Sequence, residues 1–284
     1  VFPRDSPLGK GFHDHLSTRI ANLAALERKL INRLFGFRFN KGGMRNLRFE
    51  LDPEGRKMKK LPAAFLHVAF SRSEDSGFEG LRSIYQAVQK RDLPSATSLI
   101  QVLSDAPWFV AAIWWRFIEK RVLPPSTSTF ELHLVTEQEP TPDNTITLSD
   151  TLKDMFGQPL AAIAWSVTAQ DKDAFWDTAL LAFQNWNKSR LNQIAPLVPR
   201  DKESVLDELA DGGGIYHPAG TTRIGADATN GVVDDQLRVH GVPGLRALAT
   251  SVYPSVGGSS PSLALTFFAQ RLADDLSAHL GRKL

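Results

Sequence analysis

Residues 129–137 read Thr-Phe-Glu-Leu-His-Leu-Val-Thr-Glu. Phe130, Leu132 and Leu134 fall on one side of an extended chain, with Glu131, His133 and Thr136 on or near the other. A period of two marks a strand with one buried face. Residues 47–51 alternate in the same way, and residues 63–70 give a second strand after a turn at Asp52-Pro53-Glu54-Gly55. Further along, residues 144–149 and 160–167 are two short strands around a polar, turn-rich segment, which predicts an antiparallel pair.

Helical periodicity surrounds these strands. Ile20, Leu23, Leu26, Leu30, Ile31 and Leu34 recur at helical spacing and predict one amphipathic helix over residues 16–35. Residues 77–121 are helical, broken at Pro94 and Pro107 and stopped by Pro124-Pro125. Residues 173–191 form another helix, residues 205–209 a short one, and a strong helix from about Pro261 to His279 closes the chain. From Asp211 to about Ser262 the composition turns to Gly, Pro, Ser and Thr. Irregular backbone of that length is usually functional. The fold class is therefore α+β: a mixed, antiparallel sheet flanked by helices, then a loop-rich segment.

Composition narrows the function classes. The chain has 284 residues, 42% of them hydrophobic, enough for one large core or two smaller ones. A net charge of +2 gives no reason to expect nucleic acid or an anionic membrane as partner. With no cysteine, thiolate metal sites and Cys nucleophiles are excluded, and the compartment, cytoplasmic or periplasmic, stays open. There is no P-loop and no G-x-S-x-G elbow. His13 and His15 flank Asp14 at metal-like spacing, but no further ligand cluster accompanies them. The longest apolar run, residues 108–115, is too short to span a bilayer. Arg116, Glu119, Lys120 and Arg121 follow it, so it reads as a buried helix with a solvated end, the alternative being a face for a membrane surface or a partner.

The loop-rich segment carries the chemistry. It contains Tyr216-His217-Pro218-Ala219-Gly220-Thr221-Thr222-Arg223-Ile224-Gly225, then Gly231-Val232-Val233-Asp234 and Leu237-Arg238-Val239-His240-Gly241. Thr250-Ser251-Val252-Tyr253-Pro254 and Gly257-Gly258-Ser259-Ser260-Pro261-Ser262-Leu263 follow. In this order and spacing the blocks resemble the C-terminal region of the glucose–methanol–choline oxidoreductases. Upstream, Glu137-Gln138-Glu139-Pro140 and residues 144–149 resemble that family's substrate-domain hairpin. Leu8-Gly9-Lys10-Gly11-Phe12-His13-Asp14-His15 resembles the segment leaving its first flavin-binding portion.

The resemblance implies residues 1–15 as a connecting segment, 16–210 as an α+β substrate domain, and 211–284 as the last part of an FAD-binding domain. It implies FAD-dependent oxidation of a CH–OH donor, a sugar, glycoside or other alcohol, by a dehydrogenase or oxidase. His217 takes the position of the family's active-site histidine and is the expected base, a role suited to a side chain that titrates near neutrality. Ser260 stands where the family usually carries a second His or an Asn. It is also a candidate helix N-cap, with Pro261 at the first helical position. Pro261 and Ser262 are expected beside the isoalloxazine, and Ala249, Thr250 and Ser251 near the ribityl and phosphates, with Ala249 where many members have Asp. Arg223, Asp234 and His240 are expected to tie the loop together.

The G-x-G-x-x-G dinucleotide loop of the family's amino-terminal region has no counterpart in these residues. An N-terminal FAD-binding portion or a separate chain is therefore the expected partner, together with a small-molecule alcohol or sugar. The beginning at Val1 suggests a removed leader or a fragment. The alternative reading is a non-catalytic or regulatory half that pairs with a separate flavin-binding polypeptide; hydroxynitrile lyase chemistry is a third.

Overall fold

The computed structural model describes residues 6–24, 27–71, 76–279 and 281. In chain order the elements are β1 (His15–Leu23), α1 (Arg28–Phe35), β2 (Arg38–Asn40), β3 (Gly43–Arg45), β4 (Arg48–Glu50), α2 (Pro53–Lys59) and β5 (Ala64–Phe70). Three helices follow, α3 (Gly77–Lys90), α4 (Ala96–Ser104) and α5 (Ala106–Phe117), before β6 (Phe130–Glu137), β7 (Thr145–Lys153) and β8 (Pro159–Ala164). Then come α6 (Ala169–Lys188), α7 (Leu191–Ile194), β9 (Leu197–Pro199), α8 (Lys202–Gly212), a 3-10 turn (Thr250–Val252) and α9 (Ser262–His279). The main sheet runs β4-β5-β6-β1-β9, all antiparallel, with β2-β3 and β7-β8 as separate hairpins.

The α+β class holds, with differences of detail. Residues 16–35 are not one helix; they are β1 followed by α1. Leu16, Thr18 and Ile20 are buried in step, and then Ala21 and Leu23, because the register against β6 shifts between Arg19 and Ala21. A bulge inserts one residue into a period of two, so the apolar spacing imitates that of a helix. Leu26, counted in that stripe, and residues 1–5 lie outside the described residues. The expected turn at 52–55 opens α2: Asp52 caps it by accepting from the Gly55 N–H at 2.8 Å, and Pro53 sits in the first turn. Pro107 likewise lies in the first turn of α5 and starts that helix. On β6, Thr136 falls in step with Leu134 and is buried with it.

One face of the sheet forms the larger core. Leu132 and Leu134 of β6, Leu66 and Val68 of β5 and Leu16 and Ile20 of β1 pack with Ile31 and Phe35 of α1, Phe175 and Trp186 of α6, and Val205 and Leu209 of α8. A second cluster lies wholly within the loop-rich segment, around Ala219, Val233, Leu237, Val239, Val252 and Tyr253, with Leu265, Phe268 and Leu272 of α9 against it. This second core lets long irregular backbone hold a fixed shape. The opposite face of the sheet sets polar residues around the buried Phe65–Val135 pair. Directly paired positions put His15 with Glu137, Arg19 and His67 with His133, and Arg48 with His67 on that side.

Candidate active site

The site forms where the start of β1 meets the loop after α8. Residues 9–17 and 213–221 run antiparallel: Ala219 and His13 exchange backbone bonds at 3.2 and 2.9 Å, and the Ile215 N–H donates to the His15 carbonyl at 3.2 Å. Arg223 adds a bond to the Lys10 carbonyl at 3.1 Å. Gly220, at φ +93, is needed here, since a Cβ would lie 2.0 Å from the Gly11 carbonyl oxygen.

Asp14 sets the backbone of this loop. Its buried carboxylate accepts from the N–H groups of His15 at 2.6 Å, His217 at 2.8 Å and Tyr216 at 3.0 Å. Tyr216 is held at φ +62, a left-handed conformation a tyrosine rarely adopts, with its ring almost fully exposed. The strain is compensated by charge-assisted bonds, which fix the direction in which His217 leaves the backbone.

His217 meets His15. Their Nδ1 atoms are 3.1 Å apart and the rings stand edge to face at 82°. His15 Nε2 lies 2.8 Å from the Gly257 carbonyl oxygen. A carbonyl only accepts, so His15 Nε2 carries the hydrogen and donates. Burial, and then the neighbouring His217, lower the His15 pKa, keeping the ring neutral. A neutral ring that donates from Nε2 has a lone pair at Nδ1, so the 3.1 Å contact requires His217 to donate from its own Nδ1. That tautomer leaves the His217 Nε2 lone pair as its free basic position.

The segment bearing Ser260 is tied to the same place. Glu137, at the end of β6 and opposite His15, accepts from the Gly257 N–H at 3.0 Å and from the Ser255 hydroxyl. His15 therefore links His217 on one side to the 255–260 loop on the other. The Ser260 hydroxyl faces that of Ser262 at 3.3 Å. The first helical bond of α9 runs from the Leu265 N–H to the Pro261 carbonyl at 2.9 Å. Pro261, not Ser260, thus takes the capping position expected of the serine, because its carbonyl opens the helical ladder. Helix geometry then leaves the N–H groups of Ser262, Leu263 and Ala264 without carbonyl partners inside the helix. Ala249 leads into the 3-10 turn, where the Thr222 N–H donates to the Ser251 carbonyl at 3.0 Å and the two side-chain hydroxyls meet at 2.6 Å. Asp234 caps its own turn through the Gln236 and Arg238 N–H groups, and His240 Nε2 lies 3.1 Å from the Gly225 carbonyl oxygen.

Sequence reasoning singled out His217 and Ser260 but missed Asp14, His15 and Glu137. The last three act across about two hundred and one hundred and twenty residues of chain. Their sequence signals were the cluster His13-Asp14-His15 and the Glu137-Gln138-Glu139-Pro140 block, neither of which names a partner.

The polar sheet face continues away from His15. His67 stacks on His133 at 5.4 Å, Glu131 pairs with Arg19 at 2.7 Å and with His133 at 3.1 Å, and Arg48 lies 4.3 Å over Phe65. Burial, then His133 and Arg48, push the His67 pKa from 6.5 down to about 4. The unfolded chain protonates this histidine first as pH falls. Stability from His67 is therefore whole above pH 6.5 and drains as pH drops towards 4. Unfolding curves are expected to lose up to about 3 kcal/mol over that window, and His67→Phe to lose correspondingly less. Identical pH slopes in the two proteins would contradict the assignment.

Residues 140–269 match the family model described as GMC oxidoreductase, for the C-terminal part of such enzymes. The chain is 43% identical over 63 residues to 5-(hydroxymethyl)furfural oxidase of Methylovorus sp. strain MP688, covering 22% of this chain and 12% of that protein. It is 30% identical over 114 residues to oxygen-dependent choline dehydrogenase of Cronobacter sakazakii, covering 38% of this chain and 20% of that one. A crystal structure of formate oxidase shares the fold at a TM-score of 0.50 and 15% identity, over 96% of this chain and 48% of the other. The chain spans about half the length of that solved structure and aligns with a smaller part of the curated relatives.

Proposed function

Since this chain belongs to the GMC oxidoreductases and carries their C-terminal region, we propose that it supplies the base and the substrate wall of an FAD-dependent enzyme oxidising a CH–OH donor, a sugar, glycoside or other alcohol. The observation that carries the reading is the His15–His217 pair, with its second bond to the Gly257 carbonyl. It leaves one basic nitrogen, His217 Nε2, on an imidazole oriented from both ring and backbone.

The chemistry divides as follows. His217 Nε2 takes the hydroxyl proton of the donor while the carbon gives up a hydride. FAD, when bound, supplies the hydride acceptor. His217 keeps its Nδ1–H bond to His15 before and after it gains the proton, so the transfer needs no ring rotation. Asp14 keeps the loop in register throughout. Ser260 offers the substrate oxygen one short hydroxyl where the family has a longer side chain.

The residues present fit the flavin end of the cofactor. The start of α9 offers free N–H groups and a positive dipole end, suited to negative charge on a reduced flavin ring. Ser260 and Ser262 add hydroxyls at that helix start, and in this reading Thr250 and Ser251 serve the ribityl and phosphate side, where Ala249 offers no carboxylate. Residues 211–284 act in this reading as the closing part of the FAD-binding domain and residues 16–210 as the substrate domain. The pyrophosphate cradle has no G-x-G-x-x-G among these residues, and a nucleotide-binding portion outside them supplies it.

His15 is a positioning residue, and its test separates position from fold. His15→Leu in the complete enzyme removes the Nδ1 acceptor and is expected to lower kcat about 10–100-fold with KM little changed. His15→Asn returns an acceptor at the Nδ1 place and recovers most of the rate. Equal losses in the two variants would remove the tautomer argument.

A further inference from the structure

The helices between β5 and β6 turn their apolar sides outward. On α5, Val110, Ile113, Trp114 and Phe117 stand at i, i+3, i+4 and i+7, and all are exposed, while Trp115 is buried at 7%. The expectation of a buried helix over residues 108–115 therefore fails. On α4, Leu99, Ile100 and Leu103 are exposed, and on α3, Leu81, Tyr85 and Val88, with Leu93 at 94% in the connection. A surface helix ordinarily shows the reverse pattern. Residues 94–115 hold one charged side chain, Asp105, and it is turned inward to accept from the Gly77 N–H at 3.0 Å.

The far end of this surface is basic. The Phe39 N–H donates to the Lys120 carbonyl at 2.7 Å and the Val122 N–H to the Phe37 carbonyl at 3.0 Å, which joins the β2-β3 hairpin to the chain leaving α5. Arg38, Lys41, Arg45, Arg116, Lys120 and Arg121 gather there, Arg116 stacking 3.7 Å over Phe39. None of the six is in an ion pair among the described residues. The neighbouring carboxylate of Glu119 is paired with Arg33 at 2.8 Å. Burial, and then Arg38, lower the Arg121 pKa, a sign of how closely these cations are crowded.

We propose that α4 and α5 lie in the interface of an anionic phospholipid bilayer, with the β2-β3 hairpin and the end of α5 on its headgroups. Apolar and aromatic side chains edged by unpaired cations are the composition of interfacial helices, and the cations match the charge of anionic lipid. No single described helix is long and apolar enough to span a bilayer. The two helices meet at 67°, and with 9 and 12 residues they rise about 14 and 18 Å against a core of about 30 Å. The near-neutral net charge of the chain conceals this local excess. Such docking suits a donor presented at a membrane.

The test is flotation of the full-length gene product with vesicles of phosphatidylcholine alone and of phosphatidylcholine mixed with phosphatidylglycerol. The protein is expected to float with the mixed vesicles and to be released by salt, as electrostatic attraction is screened. Arg38→Glu with Arg45→Glu is expected to weaken that binding more than about tenfold, each cation contributing roughly fivefold. Ile113→Glu with Trp114→Glu, at exposed positions, is expected to abolish it while the far-ultraviolet spectrum and flavin content stay unchanged. The proposal is overturned if the full-length protein stays unbound at both compositions, as it would were another polypeptide covering this face. Unchanged flotation of the Ile113→Glu/Trp114→Glu variant would overturn it as well.

Discussion

Replacing His217 by Ala in the complete enzyme is expected to lower turnover by about two to four orders of magnitude, the usual size of a lost acid–base group. The loop would keep its shape, because Asp14 holds residue 217 by its backbone N–H and not by its ring. The flavin spectrum and the melting temperature should therefore change little, which separates loss of chemistry from loss of fold. His15 would retain its bond to the Gly257 carbonyl and keep the 255–260 loop in place. Added imidazole should restore part of the rate by entering the space left by the ring. A fall of less than about tenfold would show that another group takes the proton.

Asp14→Ala is expected to cost both stability and rate. Three N–H groups converge on this buried carboxylate, and bonds to a charged acceptor contribute roughly 1.5–3 kcal/mol each. Allowing for relaxation of an exposed tip at Tyr216, the net loss should be about 3–5 kcal/mol. That corresponds to a Tm lower by roughly 6–20 °C for a protein of this size. Turnover should fall about a hundredfold or more, since a misplacement of about 1 Å is enough for that. Asp14→Asn keeps an acceptor oxygen but turns an N–H₂ toward N–H donors, so it should lie between the two. Part of the damage comes from freeing a tyrosine held at φ +62, so Tyr216→Gly added to Asp14→Asn should recover part of the stability. Asp14→Ala with unchanged Tm and turnover would mean that the loop holds itself.

Much of this was legible along the chain. The alternation of 129–137 and 63–70 revealed the two central strands, since a half-buried strand writes its faces directly into the sequence. The Tyr216–Gly225 run and the serines before α9 pointed to the candidate site because they are local. β1 was read as helix because a bulge at Ile20 changes the phase of its apolar residues. β9 is three residues long, too short to show any period. Asp14, His15 and Glu137 escaped because their partners are distant in sequence, and no spacing rule reaches from residue 15 to residue 217. The outward face of α5 escaped for a different reason: periodicity gives a stripe but not the side to which it turns.

In the proposed function this chain provides the base for flavin-dependent oxidation of a CH–OH donor. Its most direct test is the visible absorption of the full-length native protein, mixed without oxygen with a panel of sugars, glycosides and simple alcohols. Flavin bands are expected to bleach with at least one donor, and a His217→Ala variant to show the same bands and bleach at least about a hundredfold more slowly. Flavin bands that no donor bleaches, or that bleach equally fast in the variant, would contradict it.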